Sequence, residues 1–300
     1  MTKSKISFRS AKSQAHHAIT QKISLGASRH DNKADGKIHS VRSAINYEQS
    51  LTTFVQYIKD NRLGDLRSAT REIAHQFLAD RAAVVAQKTL DQDRQAIQMQ
   101  LGVKLDVIKS ERETILNSRA YTSAQVERIA GAQSHMHSLA SRIAHNAGLR
   151  AHELLTLRPA GERSASGRRE WSDKRFDGRE GVKYTVEGKG GLIREVMISK
   201  NLSVKLEKLR FPSPRMIFDR QIKYHTLYNI GGGRNWSQSV SAASKREFGW
   251  SNGAHGFRHS YAQERMVELQ SRGYNYEVAE GIVAQEVGHF DSSTTEAYLR

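Results

Sequence analysis

Tyr298 stands two residues before the end of a 300-residue sequence, in the run Glu-Val-Gly-His-Phe-Asp-Ser-Ser-Thr-Thr-Glu-Ala-Tyr-Leu-Arg. A phenol with a pKa near 10 can attack phosphorus and leave again, which an alkyl alcohol does poorly. His289 precedes it by nine residues. Upstream, "HNAGLRAHELLTL" sets Glu153 three residues after Arg150, so a helix would place the carboxylate beside the guanidinium and hold it in one orientation. "AHGFRHSYAQERM" offers His255 and Arg258 at helical i, i+3 spacing, with His259 next. Each guanidinium can give two parallel donors to a phosphate. Lys189 lies in Glu-Gly-Lys-Gly-Gly, but the pattern G-x-x-x-x-G-K-[ST] is absent and no helix follows, which argues against a nucleoside triphosphatase. Taken singly, these residues read as a surface ion pair, a helix-end histidine and a packing tyrosine. Their meaning lies in their being taken together.

The elements that must position them fall into three stretches. Residues 1–37 are polar, basic and poor in large apolar side chains, and read as a flexible basic arm. From residue 38 to 112 the pattern is helical: Ile45, Leu51, Phe54, Val55 and Ile58 recur at spacings of three, four and seven before the turn "DNRLGD". A second helix is expected from Ser68 with Ile73, Phe77 and Leu78, and a third after Thr89 that stops at Gly102. This all-helical unit carries nothing catalytic. A boundary near 112–120 precedes a third stretch, 120–300, which opens on a helix start at Thr122 and stays helical to Leu157, where Arg158-Pro159 interrupts it. "REWSDKRF", "GVKYTVEGKG" and "LIREVMIS" alternate enough to predict a small antiparallel sheet, with Gly188 to Gly191 as its hairpin turn. After Ser199 helical texture returns to the end, broken by "FPSP" and "NIGGGRN". The fold class expected is therefore mainly α with a small antiparallel β-sheet.

The formal charge of +16 makes a polyanion the first partner to consider. The excess is uneven, at +6 over residues 1–37, +1 over 38–117 and +9 over 118–300. Cysteine is absent, which excludes disulfides, thiolate metal sites and a cysteine nucleophile, and suits a reducing cytoplasm. No apolar run approaches the roughly 18 residues of a membrane span.

In order, the pieces resemble the tyrosine recombinase (phage integrase) family. "GLRAHELLTL" looks like its first arginine box, "VEGKGGLIREVMI" like its lysine hairpin, "HGFRHSYA" like its His-x-x-Arg-His box, and "VGHFDSSTTEAYL" like its Leu-Gly-His…Thr…Tyr box. The resemblance covers residues 121–300 strongly. Residues 38–105 resemble the family's core-binding domain by position and texture only. The resemblance implies a helical core DNA-binding domain over 38–112 and an α+β catalytic domain over 120–300. It implies cleavage through a 3′-phosphotyrosine with a free 5′-hydroxyl, so that bond energy is kept in a covalent intermediate.

Tyr298 is then the nucleophile, and Arg150 and Arg258 stabilise charge on the non-bridging oxygens. Lys189 protonates the departing 5′-oxygen. His255 accepts the phenolic proton or hydrogen-bonds the phosphate, and His289 donates a further hydrogen bond. Glu153 and His259 support these groups from behind. No cofactor and no metal is expected.

The partners implied are double-stranded DNA, held mainly through its phosphates, a homo-tetramer on paired DNA sites and accessory DNA-bending proteins, with a cytoplasmic, nucleoid-associated location. Family members usually continue into a segment that docks on a neighbouring protomer. Here only Leu299 and Arg300 follow Tyr298, so either the sequence is truncated or assembly uses another surface. Two further readings share these residues. One is a type IB topoisomerase-like enzyme that relaxes supercoils without pairing sites; the other is a DNA-binding regulator that keeps the fold without the chemistry.

Overall fold

A computed structural model describes residues 10–25, 36–113, 117–188, 190–220, 222–290 and 295–299. The chain divides into two compact units, Met1–Ile115 and Leu116–Arg300.

The first unit is helical. Its helices are α1 (Ala11–Thr20), α2 (Val41–Asp60), α3 (Arg71–Ala82) and α4 (Gln87–Leu101). Leu51, Phe54, Val55 and Ile58 form one buried stripe on α2, as their spacing requires. They meet Phe77 and Leu78 of α3 and Leu90, Ala96 and Ile97 of α4. The Thr70 hydroxyl accepts from the Ile73 amide to start α3, and Gly102, left-handed, ends α4.

The region expected to be a flexible arm holds α1, which packs on α2 and puts Ala11, Ala15, Ala18 and Ile19 into the core. Alanines on one face let a helix approach its neighbour closely without bulk, so a scarcity of large side chains does not mean disorder here. Residues 1–9 and 26–35 of that arm lie outside the described residues.

The second unit begins with α5 (Ser123–Gly131) and α6 (His135–Asn146). Thr122 and Gln125 close the reciprocal cap that their spacing predicts. The helical texture expected to Leu157 holds through α5 and α6, but α6 ends at Asn146, Gly148 turns left-handed at φ 61°, and the stretch to Leu157 carries only a short 3-10 helix, Glu153–Thr156.

Three antiparallel strands come next, β1 (Arg158–Pro159), β2 (Val182–Glu187) and β3 (Ile193–Ile198), in the order β1-β2-β3. Val182 faces Ile198 and Glu187 faces Ile193, so β2 and β3 pair as the expected hairpin, whose expected turn, Gly188 to Gly191, falls between Glu187 and Ile193. Its third strand is not "REWSDKRF". There the chain turns over residues 173–178, with Phe176 buried at positive φ and its amide donating to the Glu286 carboxylate. Arg158-Pro159 supplies the third strand instead, at an edge where proline is tolerated.

Then come α7 (Lys200–Glu207) and a second sheet, β4 (Arg210–Asp219) with β5 (Ile222–Tyr228), where helix was expected. Pro212 and Pro214 lack amide donors, so helix cannot propagate from α7, and the alternating side chains beyond them pair as a hairpin. The chain ends with α8 (Gly233–Phe248), α9 (Gly256–Ser271) and α10 (Tyr276–Glu286).

The core of this unit centres on Trp236, Phe257, Tyr121, Val196 and Leu154. A smaller cluster of Ala262, Met266, Leu269, Ala279, Ile282 and Val283 joins α9 to α10 and includes Tyr298. The molecule is mainly helical with two small antiparallel sheets. Among the described residues no helix is long and apolar enough to cross a membrane.

Candidate active site

Arg150 owes its place to the two residues before it. Leu149 is buried, and Gly148 leaves room for the Tyr261 ring, whose Cδ1 lies 2.7 Å from where a Cβ would stand. At left-handed φ and with that contact, a side chain here would be strained twice over. The Arg150 amide and Nη1 both donate to Glu153, each at 2.8 Å, so the predicted pairing is made, across a turn and not along a helix face.

Glu153 has no solvent exposure. It receives two further cations: Arg194 Nη2 at 2.9 Å and Arg258 Nη1 at 3.8 Å. Burial pushes its pKa up, but the guanidiniums of Arg194, Arg150 and Arg258 outweigh that and hold the carboxyl well below the usual range. Glu153 is therefore an anion shared by three arginines.

Arg258 sits in the first turn of α9 and is fully buried. Its Nη1 donates to the Gly148 carbonyl at 2.7 Å and its Nη2 to the Val287 carbonyl. It thus ties the Arg150 loop to the end of α10. Burial and the adjacent Arg150 lower its pKa to about 9, which leaves it a cation at neutral pH.

His289 follows Gly288, whose φ of 73° turns the chain back after α10. Its Nε2 lies 2.9 Å from Arg150 Nη2 and 3.5 Å from Arg258 Nη2. A guanidinium only donates, so Nε2 must accept and the proton of the neutral ring must be on Nδ1. That Nδ1 is buried and has no partner among the described residues.

Tyr298 is 8% exposed and is surrounded by the three histidines. Ring centroids lie 5.2 Å from His255, 4.6 Å from His259 and 5.2 Å from His289, and Arg258 Cζ is 5.4 Å from the tyrosine ring. Its backbone is tied to α9, since the Gln263 side-chain Nε2 donates to the Tyr298 carbonyl at 3.1 Å.

Burial first, and nearby arginines second, lower the imidazoles of His289 to about 3 and His259 to about 4. His255 is lowered in the same direction by the same causes, but it stands exposed at the mouth of the cluster, where solvent screens its charge.

The consequence for stability has a definite sign. A histidine whose folded pKa is about 3 or about 4, against about 6.5 in the unfolded chain, binds fewer protons when folded. Its contribution is complete above pH 6.5 and fades as pH falls. The unfolding midpoint, followed by circular dichroism, should drop between pH 7 and pH 5, before most carboxylates titrate. An unchanged midpoint over that window would mean that His259 and His289 are solvated.

The structure thus brings together Arg150, Glu153, His255, Arg258, His259, His289 and Tyr298. The side chain of Lys189 lies outside the described residues. The residue before it, Gly188, abuts the ion pair, with Glu153 Oε1 3.3 Å and Arg150 Nη1 3.7 Å from its would-be Cβ.

Arg194 does not stand out in the sequence. The signal that could have found it is its register: it shares the inward face of β3 with Val196 and Ile198, where a lone charge demands a partner. Two of its nitrogens, Nε and Nη1, are buried without partners among the described residues, as is Arg258 Nε. The cluster is therefore rich in cations and unspent donors around one phenol. Such an arrangement can hold a tetrahedral anion in line with an attacking oxygen.

No family model matches the chain, and no curated protein matches it in sequence. Solved structures do. The XerH site-specific recombinase bound to palindromic difH substrate, a post-cleavage complex, superposes with a TM-score of 0.57 at 15% identity, over 97% of this chain and 90% of that one. A lambda integrase tetramer bound to a Holliday junction gives 0.56 at 13% identity, over 91% and 75%. A lambda integrase(75-356) dimer bound to a COC′ core site gives 0.54 at 14% identity, over 91% and 93%. The chain has the fold these recombinases and integrases share.

Proposed function

We propose that this chain is a site-specific DNA recombinase or integrase of the tyrosine recombinase type, which cuts and rejoins strands through a 3′-phosphotyrosine. The observation that carries the reading is the packing of a phenol against three imidazoles beside Arg150 and Arg258, with buried donors left over. A purely structural cluster would satisfy its donors internally, because a buried unpaired donor costs about 1–3 kcal/mol. A bound phosphodiester would take up the His289 Nδ1 donor.

In the proposed step the Tyr298 oxygen attacks the scissile phosphorus, forming a P–O bond as the bond to the 5′-oxygen breaks. The phenolic proton passes to His255, and Lys189 protonates the departing 5′-oxygen. Arg150 and Arg258 bind the two non-bridging oxygens, and His289 donates from Nδ1 to one of them. Reversal by a 5′-hydroxyl from another strand rejoins the DNA without loss of bond energy.

The double-stranded DNA partner is supported by the formal charge of +16 and by the DNA named in the similar structures. A homo-tetramer on paired sites, and accessory DNA-bending proteins, belong to the same proposal.

The test works whatever the target sequence is. A pool of nicked duplexes with randomised sequence, in which the cleaved fragment diffuses away, is incubated with the protein. Detergent-resistant covalent complexes are then isolated and their DNA sequenced. The expected result is enrichment of one sequence joined through its 3′-phosphate. Binding without any covalent complex would leave a DNA-binding regulator as the surviving reading. Adducts without sequence preference would point to a topoisomerase.

A further inference from the structure

Arg194 is 1% exposed, yet it lies two residues after the hairpin turn, on β3, and reaches three segments at once. Its Nη2 bonds Glu153, the carboxylate that orients Arg150. Its Cδ and Nε stand 2.9 and 3.0 Å from where a Cβ on Gly288 would be, immediately before His289. Its own strand pairs with β2 through the hairpin that carries Lys189.

We infer that Arg194 is a positioning residue for strand cleavage, setting the Arg150 guanidinium through Glu153 and the His289 turn through its contact with Gly288. This rests on the proposed cleavage chemistry.

A structural explanation fails on its own terms. A buried ion pair contributes little net stability compared with apolar residues of the same volume, and Arg194 adds a third guanidinium to a carboxylate that two already face. Its Nε and Nη1 remain unpartnered among the described residues, an arrangement that a residue kept only for packing would avoid. Without Arg194, Glu153 would be free to shift toward Arg258, Arg150 would rotate with it, and the Gly288 turn would lose the surface it folds against. A displacement of about 1 Å at the phosphate-binding guanidinium costs on the order of 10²-fold in rate.

The experiment uses the full-length chain and the randomised nicked-duplex pool, with rate of covalent complex formation, DNA affinity at one fixed salt, and unfolding midpoint all measured. Arg194→Met is expected to slow adduct formation about 10²-fold while affinity changes less than about twofold. Losing a cation also lets the Glu153 pKa rise toward the ordinary carboxylate range, so as pH is lowered the variant should begin to lose rate at a higher pH than the parent protein does. Arg194→Lys should restore the parent onset and part of the rate. In a Glu153→Gln background, Arg194→Met should cost clearly less than in the parent protein, because the route through Glu153 and Arg150 is already lost and only the contact with Gly288 remains.

Equal rates and identical pH profiles for the parent protein and Arg194→Met would overturn the positioning role alone. So would a rate loss in Arg194→Met that tracks only a lowered unfolding midpoint and leaves the acid-side onset where the parent protein has it. Absence of any adduct from the parent protein would overturn the cleavage chemistry, and this role with it.

Discussion

Tyr298→Phe leaves no covalent complex on the nicked-duplex pool, while DNA affinity stays within about twofold and the unfolding midpoint within a few degrees. The reasoning is atomic. The ring, not the hydroxyl, makes the contacts with His255, His259 and His289 and fills the α9–α10 cluster, and phenylalanine keeps that ring. The tie from the Gln263 side chain to the Tyr298 carbonyl is also kept. Only the attacking oxygen is lost, and water is the sole replacement, which gives hydrolysis without a protein–DNA bond. The effect on adduct yield is therefore complete, not graded. An adduct that persists at the parent rate would move the nucleophile to another side chain.

Arg258→Lys is expected to slow adduct formation by roughly 10²- to 10³-fold, the usual loss when a preorganised donor at a developing charge is removed. It keeps the charge, which makes it the sharper test. The parent guanidinium spans two carbonyls, those of Gly148 and Val287, while remaining beside Glu153 and His289. A single ammonium cannot reach both carbonyls and also face a phosphate in the planar fork that a guanidinium presents. One buried carbonyl is left short, at about 1–3 kcal/mol, so the unfolding midpoint should also fall. Single-turnover rates at saturating DNA separate the two effects, since a folded fraction can be counted independently. A lysine variant within about threefold of the parent rate would show that Arg258 serves the fold and not the reacting phosphate.

Local pattern and tertiary context are unequally visible in this chain. The α2 stripe can be read because Leu51, Phe54, Val55 and Ile58 are large and regularly spaced, and burial follows from period alone. The cap at Thr122 and the β2–β3 hairpin are visible for similar local reasons. The proposed site is legible because Arg150, His255, Arg258, His289 and Tyr298 recur in a familiar order, not because any one of them declares its role.

What escapes a sequence reading is set by tertiary context. α1 is held by small residues that pack closely, a property invisible to a count of large apolar side chains. "REWSDKRF" has strand-like composition, but the Glu286 carboxylate captures the Phe176 amide and the segment turns instead. The β4–β5 pair follows two prolines that in sequence look like no more than a break between helices. Arg194 hides in a strand whose alternation is plain, because composition does not say which of its two faces turns inward.

The attachment of Tyr298 to α9 of its own chain has a consequence for bookkeeping among copies. Its ring rests on His255 and His259, its carbonyl on Gln263, and the arginines it would serve are on the same polypeptide. Under the proposed chemistry each copy carries its own nucleophile, with no tyrosine lent across a subunit boundary. In the proposed assembly of several copies, the order in which strands are cut would then be a matter of timing and access, because the proposed chemistry asks no neighbour to complete a site.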